Sequence, residues 1–183
     1  TFIPIFEKNG MIADVDKYIW RCACEILSSW TDEKAKLFIS VNISPKDFYF
    51  VDVYQTFVGL LDKYRIEPRQ LKLEITESAV MRDFETQKEL INKLRRLGFV
   101  VEMDDFGSGY SSLNVLRELE LDLIKLDMLF LSEKSEGNRG GTIISSIVRM
   151  AKWLNLPVIA EGVETMKQAD FLRSIGCNYI QGY

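Results

Sequence analysis

No histidine occurs anywhere in the 183 residues. That absence removes Ser-His-Asp triads, histidine general bases and imidazole-ligated zinc or iron. A metal held by this chain must rely on oxygen ligands, which points to magnesium, manganese or calcium. Cysteine is scarce: Cys22, Cys24 and Cys177 are odd in number and offer no zinc spacing. Cys22 and Cys24 fall on an expected helix, where residues two apart do not face one another. Buried, reduced thiols are expected, and with them a cytosolic, reducing compartment. Long apolar runs are missing too. Nothing approaches the ~20 residues of a membrane span, and the opening Thr-Phe-Ile-Pro-Ile-Phe-Glu-Lys lacks the basic-then-apolar pattern of a signal peptide. There is no basic tract, and the net charge is −4, which argues against groove binding to duplex nucleic acid. An acidic chain can still take a phosphate ligand where metal ions supply the positive charge locally.

What is present is a chain 47% apolar and 27% charged, the composition of one soluble globular domain with a substantial core. Apolar residues recur at helical spacing over 14–30 (Val15, Ile19, Cys22, Ala23, Ile26, Leu27) and at Leu90, Ile91, Leu94 and Leu97. The spacing returns at Ile143, Ile144, Ile147, Val148, Ala151 and Leu154. Between and after these lie runs of strand length: Leu37–Val41, Leu71–Ile75, Val100–Met103, Leu123–Leu126, Pro157–Ala160 and Asn178–Ile180. Strands alternating with helices imply right-handed βαβ crossovers and a parallel sheet. The nearly continuous apolar character of the runs predicts burial on both faces. No Gly-x-Gly-x-x-Gly opens the first helix, so a dinucleotide-binding fold loses support. The polar stretch from Ser132 to Gly141 reads as a strand-to-helix loop rather than a domain boundary.

Each run delivers a polar residue where it ends. These are Asn42, Glu74, the Asp104-Asp105 pair, Lys125 with Asp127, Glu161 and Gln181. A lone residue of this kind most often caps the next helix or satisfies a turn, the role expected of Ser44 and Asp83. Six in succession, in a parallel α/β barrel whose strand ends converge on one face, make an active site the better reading. A Gly-rich loop follows the pair in Asp104-Asp-Phe-Gly-Ser-Gly-Tyr-Ser-Ser-Leu113.

The mix suits metal-assisted attack of water on an anionic substrate. Asn42, Glu74 and Asp104 offer oxygens for one cation, and Asp104 bridges to a second held by Asp105. Two such ions stabilise the attacking and leaving oxygens of a phosphodiester displacement. Lys125 among carboxylates is expected to stay protonated and to orient a water or phosphate oxygen. The alternative is a Schiff-base lysine, which requires a lowered pKa.

At these residues the sequence resembles the EAL domain, the bacterial phosphodiesterase family acting on cyclic di-GMP. The matching motifs are Val41-Asn-Ile-Ser, Glu74-Ile-Thr-Glu-Ser, the Asp104 run, Ile124-Lys-Leu-Asp, Ala160-Glu-Gly-Val-Glu-Thr and Gln181-Gly-Tyr, in family order over nearly the whole chain. The resemblance implies a modified TIM-like (β/α)8 barrel that hydrolyses cyclic di-GMP to linear pGpG with Mg²⁺ or Mn²⁺, in a two-metal site. By position, Asn42, Glu74, Asp104 and Asp105 match the metal-site residues. Lys125 and Glu161, with Asp105, match residues at the catalytic water and second metal. Gln181 and Glu164 match residues near the substrate, a helix-start acid being an equally good account of Glu164. Glu77 resembles the glutamate that steadies the Asp-Asp loop, which in such enzymes runs towards a homodimer contact.

Two departures stand out. The name-giving Glu-Ala-Leu segment is absent, because the chain begins at a stretch that follows it in the family. Only about six of the eight strands of a barrel are visible, and barrels of this type take ~250 residues. Residues 1–183 are therefore expected to be one EAL-like domain, incomplete at the N-terminus and at the C-terminus, the cytoplasmic part of a larger protein that can carry a membrane anchor. The second departure is Met128-Leu-Phe, where the family shows Arg-Ser-Phe after Lys125-Leu-Asp. A receptor that binds the dinucleotide without cleaving it is the rival function. Loss of metal-site carboxylates would mark it, yet each such position visible in the chain is filled.

Overall fold

The computed structural model describes residues 3–30, 36–107, 112–127 and 139–183. Among them six parallel strands pair strictly in chain order: β1 (Ile39–Ile43), β2 (Leu71–Thr76), β3 (Val100–Asp104), β4 (Leu123–Asp127), β5 (Val158–Val163) and β6 (Tyr179–Gly182). Every strand-to-strand connection is a crossover, and the helices cover one face. The result is a half-barrel, as the strand–helix alternation predicts.

Nine α-helices lie among the described residues: α1 (Ile3–Asn9), α2 (Ile12–Ser28), α3 (Asp47–Phe50), α4 (Val53–Tyr64), α5 (Glu77–Met81), α6 (Phe84–Arg96), α7 (Ser112–Glu118), α8 (Arg139–Trp153) and α9 (Met166–Ile175). The three helices read from periodicity are α2, α6 and α8. Of the expected loop at Ser132 to Gly141, residues 132–138 fall outside the described residues, and α8 already begins at Arg139. Asp83 does occupy the N-cap position of α6, but its side chain makes no cap bond. Ser44 is not the cap of α3 either; its amide N–H donates instead to Asp47 Oδ2 at 2.7 Å.

The strands run one to three residues beyond the apolar runs. Asn42, Glu161 and Gln181 thus lie inside strands rather than after them. The reason is geometric: side chains alternate across a strand, so a polar residue pointing into the barrel leaves the backbone ladder intact. The same alternation corrects the expectation of burial on both faces. In β2, Leu71, Leu73 and Ile75 are buried under helices, while Lys72, Glu74 and Thr76 are half-buried on the inner face. Among the six strands, β3 and β4 approach two-sided burial.

The outer layer is apolar and closely packed. Trp20 of α2 lies 4.7 Å from Phe57 of α4 (ring centroids), and Phe57 meets Phe99 edge-on at 5.4 Å, just before β3. All three are buried, so this aromatic row fixes two helices against the start of β3. Leu73 sits at the middle of β2 with no exposure. Leu73→Ala should cost roughly 2–5 kcal/mol in urea unfolding, because a central strand collapses poorly around a cavity. A loss below about 1 kcal/mol would contradict that packing.

Of the three thiols, none is in a disulfide. Cys24 is buried in the core, and burial pushes its thiol up to about 11. Cys22 and Cys177 are only half-buried, so the expectation of burial holds for one of the three.

Candidate active site

The inner face collects its charge at the carboxyl ends of the strands. Pairing aligns Asn42 with Glu74, Thr76 with Asp104, and Asp127 with Glu161, so polar side chains of adjacent strands stand side by side. At the centre is Lys125, 6% exposed. Its Nζ lies 2.8 Å from Glu161 Oε1, 3.0 Å from Glu74 Oε2 and 3.5 Å from Asp104 Oδ1. The lysine from β4 thus ties together acids from β2, β3 and β5.

The local backbone serves this convergence. The register between β5 and β6 shifts between Ala160 and Val163, and Gly162 within that irregularity has φ +70°, a conformation glycine takes without a steric penalty. A bulge of this kind re-aims the neighbouring side chain, which is Glu161. After β3, Asp105 adopts the left-handed conformation (φ +52°) that Asp tolerates better than most residues. Its N–H donates to Asp104 Oδ1 at 3.0 Å, and the N–H of buried Phe106 donates to the Lys125 carbonyl at 3.1 Å. The Asp-Asp turn is therefore pinned to the strand that carries the lysine.

Burial alone would push the Lys125 ammonium towards neutrality. The hydrogen bond to Glu161 and the charges of Glu74 and Asp104 outweigh it, and the pKa is raised. The cationic reading made from the sequence stands, and a Schiff-base role, which needs a neutral amine, has no basis in this geometry. Glu74 is raised by burial, which Lys125 offsets only in part. Asp105 is raised by burial and by the charges of Asp104 and Asp127, again against Lys125.

Among the described residues no three Asp, Glu, Cys or His side chains gather by themselves closely enough to hold a metal ion. The acids close on the ammonium instead. The donor set nonetheless fits a hard divalent cation. Three carboxylates (Glu74, Asp104, Glu161) contact a single ammonium and Asp105 lies within its field, which leaves uncompensated negative charge. Asn42, exposed on the inner face beside Glu74, adds a neutral oxygen. All are oxygen donors of the kind magnesium and manganese take.

Other residues singled out from the sequence stand apart. Gln181 is exposed on β6, and Glu164 is exposed ahead of α9, its amide N–H donating to Gln168 Oε1 at 2.9 Å. Glu77, 2% exposed, opens α5. Of the Asp-Asp loop it is expected to steady, residues 108–111 lie outside the described residues, as do 128–130 with the Met128-Leu-Phe departure. Two acids had no role assigned from sequence. Asp127 pairs in register with Glu161 and adds to the field on Asp105, and its place two residues after Lys125 is the signal for a shared face. Glu102, 1% exposed, stands in register beside Glu74 and forms a 2.7 Å ion pair with Lys72. A charged residue in the middle of an apolar strand was its signal.

Comparison with known proteins places this constellation. The family model described as EAL domain matches residues 1–183. The chain belongs to the EAL domain family. The bifunctional diguanylate cyclase/cyclic di-GMP phosphodiesterase MucR of Pseudomonas aeruginosa is 36% identical over 183 residues, 100% of this chain and 27% of that protein. The EAL chain thus spans about a quarter of that relative's length. The solved MucR phosphodiesterase in complex with c-di-GMP superposes with a TM-score of 0.90 at 36% identity, covering 99% of this chain and 79% of that one. Klebsiella pneumoniae BlrP1, solved as a manganese/cyclic-di-GMP complex, matches with a TM-score of 0.77 at 28% identity, over 93% of this chain and 42% of that one.

Proposed function

We propose that the protein hydrolyses one phosphodiester of cyclic di-GMP to linear pGpG. The observation that carries the reading is the Lys125-centred set of acids at the carboxyl ends of β2, β3 and β5. The names of the relatives support the substrate and the reaction type, and the manganese in BlrP1 supports a divalent cation. Asn42, Glu74 and Asp104 would hold one Mg²⁺ or Mn²⁺, and Asp104 with Asp105 a second. When bound, such ions stabilise the developing charge on the attacking and leaving oxygens and make water a better nucleophile.

The chain's own groups do the rest. Lys125, held cationic, donates hydrogen bonds to the attacking water or to a non-bridging phosphate oxygen. Glu161, hydrogen-bonded to Lys125 yet less enclosed than it, is placed to take the proton from that water. A P–O bond to water forms and the P–O3′ bond breaks with its electron pair going to the 3′-oxygen, which takes a proton from solvent while Glu161 gives the water's proton back to solvent. Gln181 and Glu164, at the periphery, contact the nucleotide away from the reacting phosphate. Glu77, buried at the start of α5, is assigned to steadying the Asp104-Asp105 turn, and the protein works as a homodimer. Residues 1–183 belong to a larger barrel, a reading supported by their 79% coverage of the MucR phosphodiesterase chain. No described helix is long and apolar enough to cross a membrane.

The test follows cyclic di-GMP by chromatography with the full-length protein and Mg²⁺ or Mn²⁺. Linear product should form and should cease on chelation with EDTA. Tight binding with no linear product would replace the enzyme with a receptor.

A further inference from the structure

Asn42 stands apart from the other site residues in how it is held. Glu74, Asp104 and Glu161 are each tied by an ion pair to Lys125, while the described contacts of Asn42 are made by its backbone. On the helical side, Trp20 of α2 is fully buried, and its indole N–H donates to the Asn42 carbonyl at 2.8 Å, across 22 residues of sequence. Val41 and Ile43 flank that peptide and face the same helical layer, so the Asn42 side chain is directed into the half-barrel. The indole is itself immobilised by Phe57, which Phe99 backs at the start of β3.

We propose that Trp20 is a positioning residue for the metal site: its indole N–H fixes the peptide whose side chain carries the Asn42 oxygen. The inference rests on the functional reading above. Indole is a donor only, and a buried carbonyl deprived of its donor seeks another partner. The peptide of Asn42 would then rotate, and the amide oxygen would leave its place beside Glu74. Groups that orient a metal's ligands matter nearly as much as the ligands, and losing one typically weakens metal affinity ~10–100-fold.

The experiment titrates Mn²⁺ alone into the full-length protein and follows the free ion by electron paramagnetic resonance. Trp20→Phe, and replacement of Trp20 by the near-isosteric β-(3-benzothienyl)alanine, both remove the N–H; the second also keeps the ring volume. Each should weaken Mn²⁺ binding about 10-fold or more, and kcat should recover in part at high Mn²⁺. Phe57→Leu disturbs the same packing without touching the hydrogen bond. It should lower the melting temperature and leave Mn²⁺ affinity unchanged. Parent-like affinity in the benzothienyl protein overturns the proposal, as does an equal loss in Phe57→Leu. Asn42→Leu separates the two levels. If it weakens Mn²⁺ binding while the Trp20 variants do not, only the positioning role fails. If it leaves affinity intact, the metal-site reading fails with it.

Discussion

Lys125→Met should reduce turnover of cyclic di-GMP by ~10²–10³-fold, the loss seen when one preorganised donor is removed from a reaction centre. Methionine fills much of the lysine's volume without its charge. It leaves Glu74, Asp104 and Glu161, now within 2.8–3.5 Å of the ammonium, with no internal cation. Breaking a buried pair from one side is costly because the remaining charge keeps its desolvation penalty. A loss of about 3 kcal/mol is expected in urea unfolding without metal. Divalent cations should restore more stability to the variant than to the parent, since they meet a larger uncompensated charge. Turnover should not return with that stability, because the donor to the water or phosphate is gone. A variant within a few-fold of the parental rate would show that Lys125 is a structural counter-ion only. Arginine should not rescue it: the planar guanidinium cannot reproduce three contacts converging on one nitrogen.

The convergence on Lys125 was legible in the sequence because it follows from two regularities. Parallel strands joined by crossovers align their carboxyl ends, and alternation decides which residues share a face. From those, Glu74, Asp104, Lys125 and Glu161 were expected together, and Lys125 was expected to be charged. Strand limits were less legible at Asn42, Glu161 and Gln181. A polar side chain ends an apolar run in the sequence without ending the backbone ladder in space. Long-range partners were not legible at all. The bond from Trp20 to the Asn42 carbonyl and the ion pair of Lys72 with Glu102 join residues 22 and 30 positions apart. Trp20 lies outside the apolar stripe read for 14–30 although it is buried, and periodicity reports burial but not the direction of an N–H. The bulge at Gly162 is similar: the glycine is visible in the motif, but its effect on Glu161 depends on the register with β6.

Asp104→Asn carries the other large effect, and the geometry makes it a test of charge rather than of shape. Asp104 Oδ1 accepts the Asp105 N–H at 3.0 Å, and an asparagine oxygen can accept the same bond, so the Asp-Asp turn should keep its left-handed residue. What disappears is the negative charge 3.5 Å from Lys125, on the residue assigned to both cations. Metal-activated water accounts for several kcal/mol of transition-state stabilisation. Turnover should therefore fall by at least ~10²-fold, each factor of ten corresponding to about 1.4 kcal/mol. Mn²⁺ affinity should fall with it, while the far-ultraviolet circular dichroism stays that of the parent. Glu102→Gln supplies the contrast. It lies two residues earlier on the same inner face, stands in register beside Glu74, and forms its ion pair with Lys72 rather than with Lys125. Its cost should appear as stability, about 3 kcal/mol for stranding a buried partner, with kcat held within a few-fold. If Asp104→Asn kept parental turnover while Glu102→Gln lost it, the reacting centre would be the Glu102–Lys72 pair. The roles of Asp104, Glu74 and Lys125 would then have to be given up together, because their contacts make them a single unit.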